Sequence, residues 1–343
     1  MLRLLISVLI TGSILTAACT AQKTQTSTQQ PIQAVGLTAI QRGINIGNAL
    51  EAPIPGSWGV EIQPVLFDEI KQAGFDTVRI PVRFSAHAAE TPPYLLDEQF
   101  MLLVDSVIHQ ALARDLSVIL DFHHYEEMMQ NPASHSQRFL AIWRQLAERY
   151  QHQPDTSLYF ELLNEPSGKL DVQTWNNLLS EAITVIRTSN PNRLLIIGGV
   201  NHNHIQTLEA LHLPDDSRLI ATFHFYEPFK FTHQGAGWVA GSAEWRGTTW
   251  SGTHDEKQFI LSQLDQAARW SEQKHVSLVL GEFGAIASAE AASRRRWTAF
   301  VASEAEKRNI AWIYWDLCAE FRVLDCHSLQ WDDDLLSSLL IRK

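Results

Sequence analysis

Two carboxylates, Glu165 in Leu-Leu-Asn-Glu-Pro and Glu282 in Leu-Gly-Glu-Phe-Gly, each close a run of apolar, strand-like residues. Cleavage of a glycosidic bond with retention needs such a pair: one carboxyl protonates the leaving oxygen, and a second, about 5–5.5 Å away, attacks the anomeric carbon. Residues so far apart in sequence meet only if a fold brings the ends of their strands together. Alone, an Asn-Glu-Pro after a strand reads equally well as a turn in which proline ends the ladder. The second carboxylate and Arg79 shift that balance toward catalysis.

Polar residues recur wherever an apolar run stops. In chain order they are Asn48 and Glu51, Arg79, His123 and His124, Asn164 and Glu165, Asn201 and His202, His224 and Tyr226, Glu282, and Trp315. The elements that must position them are short. Strands are expected near 43–46, 77–80, 117–121, 158–162, 194–197, 220–224, 277–280 and 311–315. Amphipathic helical patterns lie between them, among them 63–73 closed by Gly74, 99–114, 137–150, 171–188, 256–274 and 289–308. Strands apolar on both faces and alternating with helices imply a parallel sheet covered by helices. Eight such units predict an α/β chain folded as a single (β/α)8 TIM barrel, whose C-terminal strand ends all open on one face. An open doubly wound sheet is the other architecture, but its ligand site would gather at one switch point rather than at nearly every strand end.

Seven motifs in order, each at a strand end, resemble glycoside hydrolase family 5 over roughly residues 36–343. They are Arg-Gly-Ile-Asn-Ile-Gly-Asn-Ala-Leu at 42–50, Val-Arg-Ile-Pro at 78–81, Asp-Phe-His-His-Tyr at 121–125, Leu-Asn-Glu-Pro at 163–166, His-Phe-Tyr at 224–226, Gly-Glu-Phe-Gly at 281–284 and Tyr-Trp at 314–315. Within the family, Gly-Asn-Ala-Leu-Glu-Ala-Pro at 47–53 and Phe-Thr-His-Gln-Gly-Ala at 231–236 resemble the bacterial endoglucanase and mannanase branch. The resemblance implies Glu165 as acid/base and Glu282 as nucleophile, with Arg79 and Tyr226 partnering the nucleophile, His224 holding the acid/base and Asn164 reading the sugar 2-hydroxyl. Glu165 is then expected to stay protonated until glycosylation while Glu282 is ionised. By the same resemblance Asn48, Glu51, His123 and His124 contact sugar on the glycone side and at the cleavage point. His233 and Trp238 line the leaving-group side, and Trp315 is the floor under the sugar being cleaved. Asp316 stands where relatives often carry Glu, which shortens any contact made there. His202 and His204 receive no catalytic role.

Other chemistries fit less well. His123 and His124, with Glu126 and Glu127 nearby, invite a metal reading, but neighbouring strand residues point to opposite faces; no metal or cofactor is expected. The longest interval, 225–255, carries Trp238, Trp245 and Trp250, and long loops in compact domains are commonly functional. Trp245 and Trp250 serve equally well as loop packing. Cys318 and Cys326 could bridge in an oxidising compartment, with two packed thiols the slightly favoured expectation.

Composition narrows the partner. A formal net charge of −11 excludes an electrostatic grip on nucleic acid or anionic lipid. Eleven Trp suit the C–H faces of sugars, so a polysaccharide or oligosaccharide is the expected substrate. Arg3 and the apolar run 4–18 form an export signal too short to span a bilayer. Leu15-Thr16-Ala17-Ala18-Cys19 resembles a lipoprotein box with Cys19 lipidated, ordinary secretory cleavage being the alternative. The expected organisation is a signal peptide at 1–18, a flexible polar tether at 19–35 and a catalytic domain at 36–343. The chain is then an exported monomer of the bacterial cell envelope, at the outer membrane or cell surface, or else secreted, touching membrane only through its lipid. The expected activity is endo-β-1,4-glucan hydrolysis, with mannan or glucomannan as the enzymatic alternative. A silent glycan-binding protein and a metal-dependent barrel hydrolase are the readings of other classes.

Overall fold

A computed structural model describes residues 40–340. The signal peptide, Cys19 and the polar tether lie outside the described residues. Eight strands, β1 (Arg42–Asn45), β2 (Thr77–Val82), β3 (Ser117–Phe122), β4 (Leu158–Glu161), β5 (Leu195–Gly198), β6 (Leu219–His224), β7 (Ser277–Phe283) and β8 (Ala311–Tyr314), close in sequence order into a barrel. Neighbours pair in parallel throughout, including β1 with β8. The expected (β/α)8 barrel is therefore the fold.

Period-two alternation along the strands separates structure from chemistry. Val118, Leu120 and Phe122 of β3, or Leu158 and Phe160 of β4, belong to the large apolar layer between sheet and helices. The alternate residues Ile119, Tyr159, Ile196, Ile220, Val279 and Ile313 form a second, smaller cluster that plugs the barrel. Two residues further along the same inward rows stand Asp121 and Glu161, and on β6 Thr222 and then His224, all buried. β3, β4 and β6 thus carry apolar residues for the plug first and polar residues for the mouth afterwards, which is how a packed barrel presents a site at one end.

The helices start and stop where local chemistry dictates. Pro64 and Pro132 open the helices Pro64–Ala73 and Pro132–Tyr150, where a missing N–H costs nothing. Asp97, Asp171 and Glu290 cap Glu98–Leu112, Val172–Arg187 and Ala291–Glu306 by accepting from backbone N–H groups of the first turn. Thr253 and Glu256 form a reciprocal capping box at the head of His254–Lys274. Gly74, at φ 109°, ends the first helix in a conformation that suits a residue without a Cβ.

Two expectations need correction. Arg79 is the third residue of six-residue β2 rather than its end, so its guanidinium rises from inside the barrel. Cys318 and Cys326 are joined as a disulfide with Cα atoms 5.6 Å apart, where two free thiols had been favoured. A separation in sequence does not report that distance; the loop brings the two Cα atoms into the range a bridge needs.

Candidate active site

At the mouth of the barrel, Glu165 and Glu282 face each other across a cleft of about 510 Å³. Glu165, at φ 48°, occupies the turn leaving β4. Glu282 lies on β7, where the register with β6 shifts between Phe223 and His224 and sets His224 opposite Glu282. Such an irregularity re-aims a side chain without ending the strand. Oxygen atoms of the two carboxylates and a ring nitrogen of His224 all lie within 4.8 Å of one another. That matches the spacing of a retaining pair and falls short of the roughly 6.5–9.5 Å an inverting pair leaves for water.

The carboxylates keep different company. Glu282 accepts from Arg79 Nη1 through Oε1 at 2.8 Å and from the Tyr226 hydroxyl through Oε2 at 2.8 Å. Arg79, wholly buried, directs the rest of its fork to Glu161 at 2.7 and 2.9 Å, Asn45 at 2.9 Å and Asn164 at 2.9 Å, and also lies 3.0 Å from Asp121. One guanidinium therefore fixes both the expected nucleophile and the asparagine beside the expected acid. Burial opposes the charge of Arg79, but Asp121, Glu161 and Glu282 overcome it and hold the guanidinium firmly protonated.

Glu165 pairs with imidazoles instead. His224 Nδ1 lies 2.9 Å from Oε1 and His202 Nδ1 lies 3.2 Å from Oε2. Burial alone would raise this carboxyl; hydrogen bonds from His202 and His224, and their charge, outweigh it and lower it well below the usual range. Its two imidazole partners thus favour the carboxylate form of Glu165, against the expectation of a carboxyl that stays protonated. His224 and His202 are correspondingly raised, His224 by Glu282 and Glu165 against its burial and His202 first by its bond to Glu165.

The remaining candidates build the walls. His123 donates or accepts through Nδ1 to Asp121 at 2.5 Å, and its ring stacks on Trp315 with an interplanar angle of 3°. Burial pushes His123 and His124 down to about 3 and His233 to about 4, so near neutral pH all three face the cleft as uncharged hydrogen-bonding groups. His233 packs between Tyr226, Phe229 and Phe321 at the end where Trp238 stands largely exposed. Asn48 and Glu51 also line the cleft. Glu51 accepts from the backbone N–H groups of Asn48 and Ala49, and burial raises its carboxyl to about 8. Its first task is therefore to shape its own loop. Asp316 is buried, accepts from Ala319 N at 2.7 Å and is raised by burial to about 7. Trp250 is loop packing against Phe300, whereas Trp245 is half-buried against Phe229.

Glu165, His224 and Glu282 have a spacing a cation could use. Arg79 and Tyr226 already take both oxygens of Glu282, and a guanidinium 2.8 Å away repels a second positive charge. His123 and His124 follow the end of β3, and their rings lie 4.6 Å apart and line one cleft, contrary to the expectation that they point to opposite faces; they turn to different partners, Asp121 and Glu126.

Sequence reasoning named His202 at a strand end but gave it no role, and gave none to Asp121 or Glu161. A polar residue on the inward phase of an otherwise apolar strand, as Glu161 is in Leu-Tyr-Phe-Glu, marks the last two. His202 carries no such mark, because its place depends on an irregular turn after β5.

Known proteins carry the same pattern. The profile described as Cellulase (glycosyl hydrolase family 5) matches residues 31–321. Endoglucanase H of Acetivibrio thermocellus is 36% identical over 274 residues, which is 80% of this chain; the chain spans 29% of that protein's length. The crystal structure of endoglucanase Cel5A from the hyperthermophile Thermotoga maritima superposes with a TM-score of 0.86 at 47% identity, covering 88% of this chain and 97% of that one. A Thermotoga maritima Cel5A structure in complex with mannotriose superposes at 0.87 and 45% identity, covering 91% and 100%.

Proposed function

The chain belongs to glycoside hydrolase family 5, and from that premise we propose that it is a retaining endo-β-1,4-glucanase acting on cellulose-like or mixed-linkage glucans. The observation that carries the reading is the pair Glu165 and Glu282, with oxygens within 4.8 Å and opposite sets of partners. In the first step Glu282 attacks the anomeric carbon while Glu165 gives its proton to the departing glycosidic oxygen. A covalent glycosyl-enzyme forms and the leaving chain departs as an alcohol. In the second step the Glu165 carboxylate takes a proton from water, the water oxygen attacks the same carbon and Glu282 is released.

Substrate binding arms the acid. A sugar that displaces water disfavours the charged Glu165–imidazolium arrangement and moves a proton from His224 to Glu165, 2.9 Å away, which arms the acid. Trp315 offers the stacking floor. Asn164, held by Arg79, reaches toward the 2-hydroxyl, where a bond that strengthens at the transition state raises kcat.

Mannan or glucomannan is a second reading, favoured by the mannotriose complex of the Thermotoga maritima relative. Parallel hydrolysis of carboxymethyl-cellulose, barley β-glucan, xyloglucan and galactomannan, in chelator and with Glu282→Ala as control, separates the cases. Glucan cleavage by wild type alone supports the proposal, and comparable galactomannan cleavage makes the enzyme dual-specific. Inactivity on all four supports a glycan-binding protein, and loss of activity in chelator a metal hydrolase.

The same proposal places the protein in the cell envelope as a monomer, lipidated at Cys19. Arg3, the apolar run 4–18 and the box ending at Cys19 support that placement. Palmitate labelling is expected in wild type and lost in Cys19→Ala; a wild type that takes up no label would leave secretion without lipid.

A further inference from the structure

We infer that His202 is a positioning residue for the acid/base, one that in its charged form holds Glu165 as a carboxylate and withholds the acid on the low-pH side of the reaction. The inference rests on the reading of Glu165 as acid/base. Both oxygens of Glu165 have an imidazole: His224 at 2.9 Å on Oε1 and His202 at 3.2 Å on Oε2. The two are not equivalent. The His224 side chain is 2% exposed and the His202 side chain 63% exposed, so only His202 exchanges its proton freely with solvent.

The loop that presents His202 is built for the purpose. Asn201, His202 and Asn203 have φ of 56°, 61° and 52°, three consecutive left-handed residues without a glycine. Such a run persists only where surrounding structure enforces it, and such enforcement is found mainly at functional sites. Here the His202 N–H donates to the Pro166 carbonyl at 3.2 Å, tying the loop to the turn that carries Glu165. Asn203 is buried beneath, with Nδ2 3.4 Å from His224 Nε2. Gly198, at the end of β5, leaves room for Asn203: a Cβ there would lie 2.1 Å from Asn203 Oδ1.

Charge from every side bears on this pair. His224 from β6 opposes a second positive charge on His202, and Glu165 favours it. Around Glu165 stand Glu282 of β7, Arg79 of β2, and Asp121, His123 and His124 on and after β3, with Tyr226 and His233 after β6. His204, on the same loop as His202, turns its ring nitrogen to the Gln206 N–H instead. Glu165 holds the His202 imidazole above its ordinary 6.5 through their hydrogen bond. A charged His202 lowers the probability that Glu165 is protonated, and a neutral one leaves it alone. Removing the imidazole therefore raises the protonated fraction of Glu165 only at pH values where His202 carries its proton.

The test compares kcat/KM of His202→Gln with wild type on an unactivated cello-oligosaccharide from about pH 4.5 to about pH 8.5. The ratio of variant to wild type is expected to climb at least about threefold toward acid, with its midpoint above 6.5, and to level off toward alkali. A ratio independent of pH would mean that the loop is merely disturbed and would overturn the inference. Histidine NMR titration, with the His202 signal assigned by its loss in His202→Gln, checks the pair without turnover. Its midpoint is expected to fall in Glu165→Gln; an unmoved midpoint overturns the inference. An inactive wild type whose His202 midpoint still moves would overturn the glucanase reading and leave the pairing standing.

Discussion

Arg79 joins β1, β2, β3, β4 and β7 through Asn45, Asp121, Glu161 and Glu282, and reaches Asn164 just past β4. A lysine there is a single point of charge on a flexible stem and cannot meet those partners together. Arg79→Lys is expected to cost about 3–5 kcal/mol of stability, the range for stranding buried carboxylates, and to lower kcat through a misaimed Glu282. Urea unfolding and kinetics on β-glucan check both; a variant with wild-type stability would mean the carboxylates are not charged. Arg79 and Glu282 were legible because both belong to short motifs, and their meeting followed from barrel closure. Glu161 was hidden by its motif neighbour, since the Asn-Glu-Pro that begins three residues later is a motif and a lone carboxylate inside the strand is not. His202 was illegible for a stronger reason. No periodicity describes three left-handed residues in a row, so the direction of its ring emerges only when the turn is built.

At the scale of elements, short apolar runs alternating with longer amphipathic ones located all eight strands, because strands buried on both faces read as near-continuous apolar runs. Boundaries moved by a residue or two where caps rather than apolar residues decide them, as at Asp97 and Asp171. The segment after β5 departs most: in place of a covering helix it forms a tight turn at Val200–Asn203 and a 3-10 stretch at Ile205–Ala210. The loop after β8 holds the other surprise. Its disulfide, Cys318–Cys326, braces the segment carrying Phe321, which packs against Tyr226, His233 and Trp238 in the wall of the cleft. Cys326→Ser is expected to lower stability by about 2–3 kcal/mol, the value for closing a short loop, and to raise KM more than it lowers kcat. Calorimetry with oligosaccharide kinetics reads the two effects, and an unchanged KM would separate the brace from the cleft.

Across the whole molecule, burial has raised Glu51 to about 8 and Asp316 to about 7. Below those values the folded chain holds protons that the unfolded chain releases near 4, so these groups lose their contribution as pH rises. The raised His202 and His224 act with the same sign. The depressed His123, His124 and His233 act oppositely, but only up to their unfolded value of 6.5. Melting temperature is therefore expected to fall between about pH 6.5 and about pH 8.5, and Glu51→Gln to flatten that fall. A melting temperature that rises across the window would contradict the buried, protonated state of these carboxyls. The net charge of −11 and the tryptophans had already pointed to an uncharged polymer, and the cleft meets it with neutral histidines and aromatic faces. What binds the scales together is the proposed covalent intermediate on Glu282, and the stereochemistry of the first product reports it most directly. Proton NMR of a cello-oligosaccharide digest, followed from mixing, is expected to show the β-anomer at the new reducing end first and the α-anomer only by later mutarotation; the α-anomer appearing first would contradict the double displacement and the roles of both carboxylates.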